Sequence, residues 1–160
     1  MDPASQIRLV AQLIFLIIVL IGALGWGAGP ERSLAGILIG LGLADHTYHA
    51  VTGVGFQISG IDVGHAILDS IALLGALAVA LQANRTYTLW FASFQLIALL
   101  GHLGRELVTG AGQIVYAVTT IAPSYFQIGL LALGTLMHVR RKRRIGKYKS
   151  WRNCSPQSLD

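Results

Sequence analysis

The sequence predicts an all-α protein: a polytopic membrane bundle of five transmembrane helices, N-terminus outside and C-terminus cytoplasmic. Three observations predict it. Of 160 residues, 54% are hydrophobic and only 12% are charged. An average soluble domain carries roughly 25% charged residues, so polar surface is too scarce here for an ordinary soluble fold. The apolar residues fall in runs near the length of about 20 residues that a span needs. Finally, eight of the 12 Lys and Arg lie between Arg140 and Arg152, directly after the last apolar run. Basic residues of this kind mark the cytoplasmic side.

Each element has its own signal. A first helix is expected over about 7–26, ending at Gly27-Ala28-Gly29-Pro30, where glycine and proline stop it. Its apolar core resembles a signal peptide, with Arg8 as the charge. A cleaved signal, however, would leave the Arg140–Lys149 cluster outside, so a retained helix is expected. Ser33 fits an N-cap for a second helix over about 34–51. A Gly-rich loop, Thr52–Ile61, follows. Asp62 fits the N-cap of a third helix over about 62–82. The turn Ala83-Asn84-Arg85-Thr86 leads to a fourth over about 87–108. After Thr109–Gly112, the last span covers about 116–139. Pro123 either starts this span or kinks it; a late start leaves Gln113–Thr120 as an interfacial segment. Residues 140–160 form a basic cytoplasmic tail.

The body before Arg140 holds Arg8, Arg32, Arg85 and Arg105 against six acidic residues, so it is mildly acidic. The tail is expected to orient the chain and to meet anionic lipid headgroups. It contains no base-reading module, so no nucleic-acid partner is expected. The lone Cys154 excludes an intrachain disulfide. Gly36 and Gly40 form a small-xxx-small pair, and Gly22, Gly25, Gly64, Gly75, Gly129 and Gly134 offer further close approaches between helices. A homo-oligomer or a larger membrane complex is the expected assembly, in a bacterial-type inner membrane.

Ionisable residues inside spans are costly and usually mark function. Here they fall in three sets: Asp45, His46 and His49; Asp62, His65 and Asp69; His102, Arg105 and Glu106. At ~100° per residue, each set occupies a face no wider than about 100° of its helix. The five-span topology puts all three at the outer ends of their helices, with Asp69 and Gln95 somewhat deeper. Phase and depth together predict one outward-facing pocket. His plus carboxylate is a ligand set for iron, zinc, manganese and copper(II). Asp62-x-x-His65 and His102-x-x-x-Glu106 place two ligands on one helix face, as in di-iron bundles.

The expected metal ligands are Asp45, His46, His49, Asp62, His65, His102 and Glu106, around one or two transition-metal ions. Asp69, Arg105 and Glu106 are the candidate catalytic groups of a metal-dependent oxidoreductase or hydrolase. Other readings stay open: a polar network that only ties helices, a haem b with His102 and His49 or His65 as axial ligands, a proton-coupled carrier or ion path through Asp69 and Gln95, or an accessory subunit. His138 is read as interfacial and unrelated to the pocket. The order Asp45-x-x-x-His49…His65 resembles the copper-ligand pattern in one membrane subunit of the particulate methane and ammonia monooxygenases. The resemblance covers these three residues and not the sequence around them, so no role is carried over from it.

Overall fold

A computed structural model of the chain describes residues 3–53, 63–107, 113–146 and 148–152, with side chains at all of these except 3–9, 12, 103, 105–107 and 113–121. It contains five helices: α1 (Pro3–Trp26), α2 (Gly29–Thr52), α3 (Val63–Gln82), α4 (Tyr87–Leu107) and α5 (Gln113–Ile145). No strand occurs among the described residues. Consecutive helices pack side by side, and α5 returns to touch α1 and α2. The helices therefore close into a ring in which α3 lies between α2 and α4.

Two helices differ from expectation. α2 starts at Gly29, not near residue 34. Pro30 occupies the first turn, where its missing N–H is not needed. Glu31 Oε2 accepts the N–H of Ala28 at 2.9 Å, which is one half of a capping box. Ser33 is thus inside the helix and not its cap. α5 runs unbroken for 33 residues through Pro123. A proline removes one backbone bond, and neighbouring helices can compensate for it. Gln113–Thr120 is therefore helical, and so is the basic run up to Arg144. Gly146, at φ 74°, ends α5, and its N–H donates to the carbonyl of Lys142 at 3.0 Å. Only glycine takes this left-handed position without strain.

The interior is made of small and polar groups. Ala23, Ala35, Ala76 and Ala83 are fully buried, around the larger Leu34, Phe91 and Leu131. Gln95, Gln127, Glu31 and Thr88 are buried as deeply. The large apolar side chains face out instead: Ile14, Ile18 and Ile21 on α1, Ile67, Ile71 and Leu74 on α3, Trp90 and Leu100 on α4. Among the described residues, α3 is the one helix long and apolar enough to cross a membrane, and α1 has a shorter apolar stretch, Leu13–Trp26.

A tight polar cluster closes one end of the bundle. Glu31 is fully buried; its Oε1 accepts the hydroxyl of Tyr87 at 2.8 Å and lies 3.6 Å from Arg85 Nε. The Arg85 guanidinium reaches His138 Nδ1 at 3.4 Å and lies over the ring of Tyr148, 4.8 Å from its centroid. His138 Nδ1 is also 2.7 Å from the Tyr148 hydroxyl. His138 is therefore buried within this cluster and is not an interfacial side chain. Beyond it the chain folds back. Asn84 N–H donates to Ser150 O at 3.1 Å, and Arg152 N–H to Gln82 O at 2.8 Å. These bonds flank an isolated antiparallel bridge between Ala83 and Trp151. The indole of Trp151 covers Gly29, where a Cβ would collide with it.

The glycines divide into two groups. A Cβ at Gly64 would strike the ring of Tyr48, one at Gly75 would come within 3.2 Å of Ile37 Cδ1, and one at Gly134 would strike Tyr87. Gly22, Gly25, Gly36, Gly40 and Gly129 have open space instead. The expected Gly36–Gly40 packing pair is thus not a close approach within the chain. Gly134→Ala is expected to destabilise the fold by about 1–3 kcal/mol through overpacking, while Gly36→Ala changes stability little. Thermal unfolding of both variants under the same conditions measures the difference.

Candidate metal centre

The residues expected to form a pocket lie at the opposite end from the basic tail. α2 carries Asp45 and His49 one turn apart, and α3 brings His65 to them. Asp45 Oδ1 is 2.7 Å from His65 Nε2 and 3.7 Å from His49 Nε2. One ligand atom from each of the three residues lies within 4.8 Å of the other two. Tetrahedral ligands at about 2.1 Å from an ion sit about 3.4 Å apart. The Asp45–His49 spacing already fits this, and the Asp45–His65 hydrogen bond would open by less than about 1 Å. The side chains of Asp45 and His49 are 44% and 36% exposed, so a solute can reach them.

A second pair adjoins the triad. His102, on α4, places Nε2 3.1 Å from Asp69 Oδ2 on α3. Its ring stacks near that of His65, with centroids 6.1 Å apart and planes 19° from parallel. The other Asp69 oxygen, Oδ1, accepts the Gln95 amide at 2.9 Å. Gln95 Oε1 in turn accepts the amide of Gln127, on α5, at 2.7 Å. This ladder runs from the histidines to mid-bundle. It ends at Phe91 and Leu131, fully buried and one helical turn further on.

The predicted residues thus divide. Asp45, His49 and His65 gather in one group, and Asp69 and His102 form the neighbouring pair. His46 is exposed on α2, turned about 100° from Asp45, and does not join the triad. Asp62 lies outside the described residues, as do the side chains of Arg105 and Glu106.

One wall of the site was not foreseen. The Tyr48 ring stands edge-on to His49 (5.7 Å, 63°) and to His65 (5.3 Å, 84°). Gly64 makes room for it. The usable signal is local: an aromatic beside His49 on one helix, and a glycine beside His65 on the next. Comparison with family models, curated proteins and solved structures finds no match for this chain.

The amide ladder predicts energetic coupling. Gln95→Leu or Gln127→Leu alone strands a buried polar group, whereas the double variant removes both partners. The double variant is expected to be less destabilised than the two single losses added together, with a coupling of about 1 kcal/mol. A double-mutant cycle on unfolding reads this directly, and additivity would show that the two amides do not pair.

Proposed function

We propose that the chain is a small integral membrane protein that binds a transition-metal ion through Asp45, His49 and His65. The convergence of these three ligand atoms from two helices carries the metal half of the reading. Three protein ligands leave positions open for water or a small ligand, which suits either a metal-dependent enzyme or a site that takes up and passes on an ion. Copper(II), zinc and iron all accept this donor set. Both oxygens of Asp69 are engaged, so its proposed part is to orient His102 rather than to act as a free base.

The membrane half rests on the distribution of side chains. Without a hydrophobic drive between helices, small residues and interhelical hydrogen bonds pack membrane bundles. An exterior of Ile, Leu and Trp around a core of Ala, Gln and Thr fits that pattern, and so large an exposed apolar surface is unusual for a soluble monomer. All five helices are proposed to span, in a bacterial-type inner membrane, with the basic end cytoplasmic and the histidine end outside. An ion path along Asp69, Gln95 and Gln127 is less well supported, because the ladder stops at the apolar layer of Phe91 and Leu131.

Titration of the detergent-purified protein with copper(II), zinc and iron(II) is expected to give about one tightly bound ion per chain. Asp45→Asn and His65→Ala should each weaken binding at least tenfold, with His46→Ala within twofold of the parent. Equal losses in all three variants would sink the assignment. The single cysteine, Cys154, tests orientation. A membrane-impermeant maleimide should label it in inside-out vesicles and not in intact spheroplasts.

A further inference from the structure

At the basic end, α4 and α5 leave between them an open groove of about 1200 Å³. Its floor is apolar: Trp90 and Phe94 from α4, Leu130, Leu133 and Met137 from α5. Phe94 also stacks on Phe126, with centroids 4.8 Å apart and planes 7° from parallel. Its mouth is cationic, with Arg140, Arg141 and Arg144 on the last turns of α5. Arg85 lines it too, but its charge is held by Glu31. Arg141 lies over the Tyr148 ring at 5.2 Å. Arg140 and Arg144 stand one turn apart on one face of the helix, both exposed. Among the described residues Glu31 is the carboxylate at this end, and it is buried and already bonded to Tyr87 and Ala28. No carboxylate among the described residues pairs with Arg140 or Arg144.

We propose that this groove is a binding site for one anionic phospholipid, with the phosphate held by Arg140 and Arg144 and an acyl chain laid along Trp90, Phe94, Leu130 and Leu133. Charge complementarity selects the headgroup. Length selects a lipid over a soluble anion. From Arg140 to Leu130 the helix advances about 15 Å, which is one leaflet's share of a hydrocarbon core about 30 Å thick. A free phosphate compound would leave that apolar lane uncovered. The site turns a general attraction of the basic tail for acidic membranes into a stoichiometric one. It rests on the membrane-spanning reading and is independent of the metal.

The test measures binding of phosphatidylglycerol and phosphatidylcholine to the detergent-purified full chain by native mass spectrometry and by titration. One phosphatidylglycerol per chain is expected to be retained in preference to phosphatidylcholine. A Lys or Arg near a membrane surface is worth about 1 kcal/mol, so Arg140→Gln and Arg144→Gln should each weaken binding about fivefold. Lys149→Gln with Arg152→Gln removes the same charge outside the groove and should change binding less than twofold. Equal losses in this variant and in Arg140→Gln combined with Arg144→Gln would reduce the site to diffuse attraction and overturn the proposal. So would competition by glycerol phosphate at the lipid's own concentration, which would mean an anion site without a chain. Alkaline carbonate extraction separates the two failures. A chain that stays in the membrane yet shows no lipid preference loses only the groove, whereas a chain released by carbonate loses the membrane reading itself.

Discussion

The side-chain amide of Gln95 joins three of the five helices. It donates to Asp69 on α3 and accepts from Gln127 on α5. In a bundle with so few charges, such an amide is both necessary and exacting, because a buried polar group without a partner is costly. Its effect reaches the histidines. With Oδ1 of Asp69 taken by Gln95, Oδ2 is left to hold His102, whose ring lies against His65, which in turn meets Asp45. A chain of contacts thus links the triad to the middle of the molecule.

The two ends use polar chemistry differently. At the basic end Glu31, Tyr87, Arg85, His138 and Tyr148 contact one another, with Glu31 fully buried, the Arg85 side chain 8% exposed and Arg85 Nε without a hydrogen bond. That arrangement closes the bundle. At the other end Asp45, His49 and His65 remain partly exposed, which leaves them reachable. Along α4 the two clusters are about 22 Å apart, from Tyr87 to His102, with the buried side chains of Phe91 and Leu131 between them. Closure and access are therefore separated along the helix axis.

Much of the helical layout was legible, because apolar runs and Gly/Pro breaks are strong local signals. The limits of the helices were less so. Glu31 starts α2 early, its side-chain carboxylate accepting the Ala28 N–H, a contact that hydropathy cannot register. Pro123 lies within α5, where the loss of one backbone bond does not end the helix. For the site, helical phase correctly put Asp45 and His49 on one face and drew attention to His65, but phase within one helix says nothing about which residues meet across helices. His46 shares the sequence neighbourhood and is turned out to solvent. His138 looked like an edge residue, and its role depends on Tyr148, ten positions later, folding back. Tyr48 was passed over because its partner, Gly64, is informative only once the two helices are side by side.

The returning tail has a consequence for how the molecule is made. Trp151 covers Gly29 at the start of α2 and pairs with Ala83 in the turn between α3 and α4. The ribosome releases Trp151 only after all five helices have been synthesised. Until then, the start of α2 and that turn are without their cover, however early the helices themselves form. The final step of assembly is thus assigned to a few residues beyond the last helix, and a nascent chain stalled just short of them would carry every helix and still be unlatched.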